Sequence, residues 1–249
     1  MFANRYTAFI DACTPAGALN RNLLLTLAEA EFFRVRWSER VMDETETAIA
    51  RILGGKGVAD ATDRAARARA SMEAAFEDAA VDEYDVFLGA WVGLPDPDDA
   101  HVVAAALKTQ AATIVTENLK DFPEAILAGL NMEARSADQF IADTIALDPG
   151  RAVAAIRRMR ERFKRPEKTA EVLLLDMEAD GLTETVDVLR AHVLSLQWRP
   201  CPVDRGGEVK RWARRSFDGP RPFHRIGLVH SDVWEGIVRL AGGRQSPVP

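Results

Sequence analysis

Short strand-like runs alternate along this chain with longer stretches of helical pattern, and that alternation limits the available folds more than any other feature. TAFI, residues 7–10, is an apolar run that stops at Asp11 and reads as a buried strand. AGALNRNLLLTLAEA, residues 16–30, holds good helix formers with leucine at helical spacing. FRVRW, residues 33–37, alternates as a strand does. Ser38 can cap the helix that follows over 39–53, closed by Gly54-Gly55. ATDRAARARASMEAAFEDAA, residues 61–80, is alanine-rich and helical, and YDVFLGAW, residues 84–91, is a third strand candidate. A helix over 99–108 leads to TIVT, residues 113–116, a compact β-branched strand. A helix over 119–128 and a weak strand at 132–135 complete the series. Strands in turn with helices predict βαβ units on a parallel sheet. Such sheets offer ligands the carboxyl ends of their strands.

Beyond residue 146 the pattern is purely helical. AVAAIRRMRERFKR places Val153, Ile156 and Phe163 on one side of a helix, with Arg157, Arg158, Arg160, Arg162, Lys164 and Arg165 on the rest. Two further helices follow over 168–179 and 182–194, divided by Gly181. The expected division is a sheet domain over 1–146, a helical extension over 147–195, and a basic tail over 196–249. That tail holds six of the twelve prolines, seven of the sixteen glycines and three of the five tryptophans. Its one helical pattern is SDVWEGIVRLAGG, with Ser231 as cap, and no chemistry can be assigned to it.

Composition narrows the function classes. The chain is 47% hydrophobic and 28% charged, a globular profile with enough apolar material for a sizeable core. No apolar run is long enough to cross a bilayer, and MFANRYTAFIDAC does not read as a secretory signal. The two cysteines, Cys13 and Cys201, lack metal-type spacing, so a reduced cytoplasmic compartment is expected. Residues 199–249 carry ten Lys/Arg and five Asp/Glu; against a total of −6, the first 198 residues hold −11. An acidic body does not suit a general nucleic-acid binder, though a local basic face could still meet one.

The stretch LPDPDDAHVVAAAL, residues 94–107, crowds Asp96, Asp98 and Asp99 ahead of a helical run. As a helix start it is self-explanatory: Asp96 caps, Pro97 takes the first helical position, and Asp98 and Asp99 suit the helix dipole. As a cation site it needs partners, since magnesium and manganese prefer hard oxygen ligands. Asp11 ends strand one, VMDETE supplies Asp43 and Glu44, and TENLKDFP supplies Thr116, Asn118 and Asp121. Each fragment alone has an ordinary structural explanation.

In order, FIDAC, WSERVMDE, LPDPDDAHVVAAAL and IVTENLKDFP resemble the PIN domain family, and more narrowly its bacterial group of VapC-type toxin ribonucleases. The resemblance covers residues 5–145 and, more loosely, the helices to 195. It implies an α/β fold: a PIN-like domain with a central parallel sheet flanked by helices, plus a C-terminal helical extension. It also implies a magnesium- or manganese-dependent endoribonuclease, the toxin of a type II toxin–antitoxin system. Metal-activated water would hydrolyse the phosphodiester, leaving a 5′-phosphate and a 3′-hydroxyl. The implied partners are RNA, with transfer RNA the family-level guess, a cognate antitoxin and a second copy of the chain.

Carried over by position, Asp11, Glu44 and Asp99 match the family's first three acidic residues, with Asp96 as a supporting carboxylate. Asn118 falls where many members have a fourth aspartate, so Asp121 is expected to assume the acidic role. The expected catalytic set is Asp11, Glu44, Asp99 and Asn118, and the expected metal set is Asp11, Glu44, Asp96, Asp99 and Asp121. Thr116, Ser38, Arg64 and Arg67 are expected at the substrate, and the arginine-rich helix 156–165 is a second RNA candidate. His101, two residues past Asp99, offers a role as ligand or as donor to a ligand, but is expected to face solvent or cap locally, and Cys13 to pack behind Asp11. Trp37 and Trp91 are expected in the core rather than stacked on bases. One alternative is a degenerate PIN domain that binds RNA or protein without catalysis. A haloacid-dehalogenase-like phosphatase is the other, and Asp11-Ala12-Cys13 argues against it, because that chemistry wants a second aspartate two residues on.

Overall fold

The computed structural model describes residues 6–90, 93–164 and 167–197. Its centre is a parallel sheet of β1 (Thr7–Ile10), β2 (Arg34–Ser38), β3 (Ala80–Val81), β4 (Thr113–Val115) and β5 (Glu133–Arg135), in the order β3-β2-β1-β4-β5. Parallel registers pair Phe9 with Arg36 on one side and with Ile114 on the other. All four residues of β1 are buried, as expected of a central strand covered on both faces. The chain runs outward from β1 through β2 to β3, then crosses back to β4 and β5. That reversal creates a switch point between β1 and β4, where parallel sheets form ligand crevices.

Short α1 (Cys13–Ala16) and longer α2 (Ala18–Glu29) join β1 to β2. From β2 the chain enters α3 (Glu39–Gly55) directly and then α4 (Ala61–Ala75), which packs on α3. Ser38 caps α3, accepting from the Val41 amide at 3.3 Å. After β3, α5 (Ala100–Lys108) lies against β1, β2 and β4. Right-handed crossovers in opposite directions put α2 and α5 on opposite faces of the sheet. The short α6 (Glu124–Leu127) leads into β5.

The third strand differs from expectation. Residues 85–90 form a 3₁₀ helix, and β3 lies earlier, at residues 80–81. Val86 is 82% exposed, so the apolar run that suggested a buried strand is not in the core. The alanine-rich helix ends at Ala75, and the residues after it pass through a 3₁₀ turn at Glu77–Ala79 into β3.

From α7 (Ala137–Leu147) the chain continues through α8 (Pro149–Arg162), α9 (Ala170–Ala179), α10 (Thr183–Arg190) and α11 (Val193–Gln197). Capping is explicit: Asp148 accepts from the Arg151 amide with Pro149 following it, and Thr169 accepts from the Val172 amide. Gly181, at φ +86°, makes the turn into α10 in a backbone region that L side chains rarely adopt. Helices α7 and α8 pack on α2, and one hydrophobic core runs from Ala8 through Leu196. Arg160, read from the sequence as lying off the apolar side of its helix, is turned inward. It is buried, and its guanidinium donates to the carbonyls of Leu196 at 3.0 Å and Lys168 at 2.7 Å. Arg157 donates to the Ser195 carbonyl at 3.3 Å, so the arginine-rich helix ties the C-terminal helices together. Trp37 is buried and meets Phe76 edge-on, as expected of a core residue. The tail from Trp198 onward, Trp91 and Arg165 lie outside the described residues.

Candidate active site

The switch point carries the acidic residues. Asp11 follows β1 directly, and its amide donates to the Val115 carbonyl at 3.0 Å, extending the β1–β4 ladder by one step. Its buried carboxylate accepts from the Ala12 amide at 2.7 Å through one oxygen. The other oxygen accepts from the Thr116 hydroxyl at 2.7 Å and the Cys13 thiol at 3.0 Å. Thr116 is fully buried and accepts in turn from the Asn118 amide at 3.0 Å. A residue expected at the substrate therefore fixes Asp11 across the crevice. Asn118 uses its side-chain amide to donate to Asp121.

Asp99 stands at the start of α5, facing these groups. Its carboxyl is pushed up to about 6, first by burial and then by the negative charges of Asp11, Asp96 and Asp121. Such a shift reports a half-buried carboxyl whose charged form is disfavoured by burial and, after it, by neighbouring carboxylates. Asp96 also does what a helix start asks of it, accepting from the Asp98 amide at 2.9 Å. The cap engages one Asp96 oxygen and leaves its charge in place, where it bears on Asp99.

Glu44 joins through α3. Arg40, one turn earlier, donates to its Oε1 at 3.1 Å and reaches the Asp98 carbonyl at 3.4 Å. His101 Nε2 lies 3.4 Å from the same Oε1. These contacts, with the His101 hydrogen bond first, hold the Glu44 carboxyl below the usual range. His101 is buried, not solvent-facing as expected, in an α5 whose residues 101–106 are all enclosed. Cys13 is exposed as a residue rather than packed away, yet its sulfur is partly enclosed. Burial and then the Asp11 charge push the thiol up to about 11, which makes it a poor nucleophile.

Asp11, Asp96, Asp99, Asp121, Asn118 and Thr116 are therefore brought together, with Glu44 attached by His101 and Arg40. Arg64 and Arg67 are engaged elsewhere. Ser38 ends β2, the strand paired with β1, and is fully buried with its hydroxyl engaged in the α3 cap. Arg64 and Arg67 pair with Asp60 at the start of α4, at 2.9 and 3.4 Å. Arg40 was not anticipated, although its i,i+4 spacing to Glu44 was readable. Beside Glu44, an open depression of about 310 Å³ is lined by Asp43, Glu44, Thr47, Ala48 and Arg51.

A hard divalent cation suits this donor set in kind: the groups are anionic oxygens, and the raised Asp99 marks a shortage of positive charge that such an ion would fill. Among the described residues, no three acidic, histidine or cysteine side chains are already gathered closely enough to grip an ion.

A parallel sheet in this order, with acids from β1, α3, α5 and the loop after β4 meeting at its carboxyl edge, is the arrangement of a PIN domain. The chain belongs to the VapC-like PIN family: the PIN domain profile matches residues 7–120, and the VapC50 C-terminal domain profile matches residues 137–191. It is 37% identical over 98 residues to the "Putative ribonuclease VapC50" of Mycobacterium tuberculosis (strain ATCC 25618 / H37Rv). That stretch is 39% of this chain, and the chain spans 55% of the length of that relative. No solved structure matches the chain.

Proposed function

We propose that this chain is a metal-dependent endoribonuclease and the toxin of a toxin–antitoxin pair, with a nuclease body over 1–146 and a helical extension over 147–195. The strongest single support is Asp99, whose carboxyl is pushed up to about 6 by burial first and then by the charges of Asp11, Asp96 and Asp121. Asp11, Glu44 and Asp99 would hold Mg²⁺ or Mn²⁺, with Asp96 and Asp121 as outer carboxylates. The bound ion would supply the positive charge that activates water and offsets the charge of the scissile phosphate. Thr116 keeps Asp11 aimed into the crevice, and Asn118 keeps Asp121 beside it. RNA affinity must come from basic residues around the acids. Arg67, whose side chain is 59% exposed, is the favoured outer phosphate contact, with Arg64 behind it. Among the described residues no helix is long and apolar enough to cross a membrane.

The test is sequencing of RNA 5′ ends after induction of wild type beside Asp99→Asn. New 5′-phosphate ends should accumulate with wild type only, and equal cleavage by the variant would sink the reading. The alternative of a degenerate module draws on Asn118 standing in place of a fourth acid. It predicts no uptake of Mg²⁺ or Mn²⁺ at millimolar concentration by calorimetry.

A further inference from the structure

The loop after β4 places Glu117 between Thr116 and Asn118, and Glu117 is held from two directions. On the sheet side, its amide donates to the Cys13 sulfur at 3.2 Å. Cys13 in turn donates to Asp11 Oδ2 at 3.0 Å, the same oxygen that accepts from the Thr116 hydroxyl at 2.7 Å. On the other side, Glu117 Oε1 accepts from the Ala137 amide at 3.2 Å, in the first turn of α7. That amide has no partner within its own helix, and a carboxylate suits the positive end of the helix dipole. Ser136 serves the same helix start locally, accepting from the Gln139 amide at 3.2 Å. Asp138, the residue after Ala137, serves a different element. Its carboxylate accepts from the Glu184 and Thr185 amides at 2.8 Å each, in the first turn of α10. The Thr185 hydroxyl donates to the Asp138 carbonyl at 3.2 Å. The first two residues of α7 therefore tie the helical extension to the loop that touches Asp11. Every link is a hydrogen bond within the chain, so this placement exists before any ligand binds.

We propose that Glu117 is a positioning residue for Asp11. By anchoring its loop to the start of α7, it keeps Thr116 and Cys13 on one Asp11 oxygen and makes the helical extension part of the support of the acidic edge. This rests on the ribonuclease reading and deepens it. Glu117 is exposed, so its bond to α7 adds little to the stability of the whole; what it fixes is where the loop lies. Placement of that kind matters to rate, since a shift of about 1 Å at a reacting group can cost about 10²-fold.

Steady-state RNA cleavage by the full chain tests this with three variants. Glu117→Ala removes the anchor, and Glu117→Gln keeps an acceptor oxygen for the Ala137 amide. Ser136→Ala removes a cap of the same helix without touching the loop. Glu117→Ala should lower kcat about 10-fold at unchanged KM, and Glu117→Gln should recover to within about 3-fold of wild type. Ser136→Ala should lower the unfolding temperature and leave kcat unchanged. Alkylation of Cys13 by iodoacetamide, with Cys201→Ser in every chain, follows the loop without RNA. Glu117→Ala should speed it about 5-fold, because the sulfur loses its cover, whereas Ser136→Ala should not. Wild-type kcat and wild-type alkylation in Glu117→Ala would overturn the positioning role and leave the ribonuclease reading standing. Equal falls of kcat in Glu117→Ala and Ser136→Ala, without recovery in Glu117→Gln, would reduce Glu117 to a helix cap and overturn it too. Wild type that cuts no RNA would overturn the ribonuclease reading, and unchanged alkylation in Glu117→Ala would then remove the positioning role as well.

Discussion

Two parts of this molecule bury charge, and they treat it in opposite ways. In the C-terminal helices, Arg160 is enclosed and answered by the fixed carbonyls of Leu196 and Lys168. At the carboxyl edge of the sheet, Asp99 is answered chiefly by other carboxylates, and its charge is disfavoured. The first arrangement draws its partners from within the chain, with the remaining nitrogen Nη2 buried 3.8 Å from the Glu161 carboxylate, and serves cohesion. The second is incomplete, which costs stability and leaves a place for a positive ligand. Glu44 stands between the two, since Arg40 and His101 already compensate it.

The contrast is broken most directly by removing acids. Asp11→Asn and Asp99→Asn should each reduce RNA cleavage by at least about 10³-fold, roughly 4 kcal/mol at the transition state, while circular dichroism stays native. Arg160→Met should do the reverse. Orphaning two buried carbonyls should cost about 3 kcal/mol in urea unfolding, with cleavage per folded molecule unchanged.

The pH dependence sharpens the same difference. Asp99 has a folded value raised to about 6, above its unfolded value, so its protonated form favours the fold. Metal-free protein should therefore gain stability as pH falls from about 7 to about 4, and Asp99→Asn should flatten that part of the profile. Glu44 is lowered, so its contribution is present above its unfolded value and lost only in more acid solution. Saturating Mn²⁺ should raise the wild-type unfolding temperature at neutral pH and leave Asp99→Asn almost unmoved. A rise of equal size in both would place the cation elsewhere. The smallest effect is expected at the rim. Arg67→Gln should change stability by less than about 0.5 kcal/mol, because its pair with Asp60 is exposed. If Arg67 meets phosphate, the same variant should lower the salt slope of RNA binding by about one.

The strand runs TAFI and TIVT, the caps at Ser38 and Asp96, and the acids that terminate strands were all legible, because each follows from local pattern and capping chemistry. YDVFLGAW was misread, since an apolar run is the same string whether it lies in a sheet or over a surface. His101 and Arg160 were misread for a related reason: periodicity tells which residues share a helix face but not what that face meets.

The sequence by itself thus determined the parallel α/β class and the order of the elements, since propensity and period act over a few residues. Only the tertiary structure decided that Thr116 grips Asp11 from 105 positions away. It alone decided that His101 is buried against Glu44 and that Arg160 closes the helical layer. Those relations depend on which distant surfaces are pressed together, and their energies arise only once water has been excluded between them.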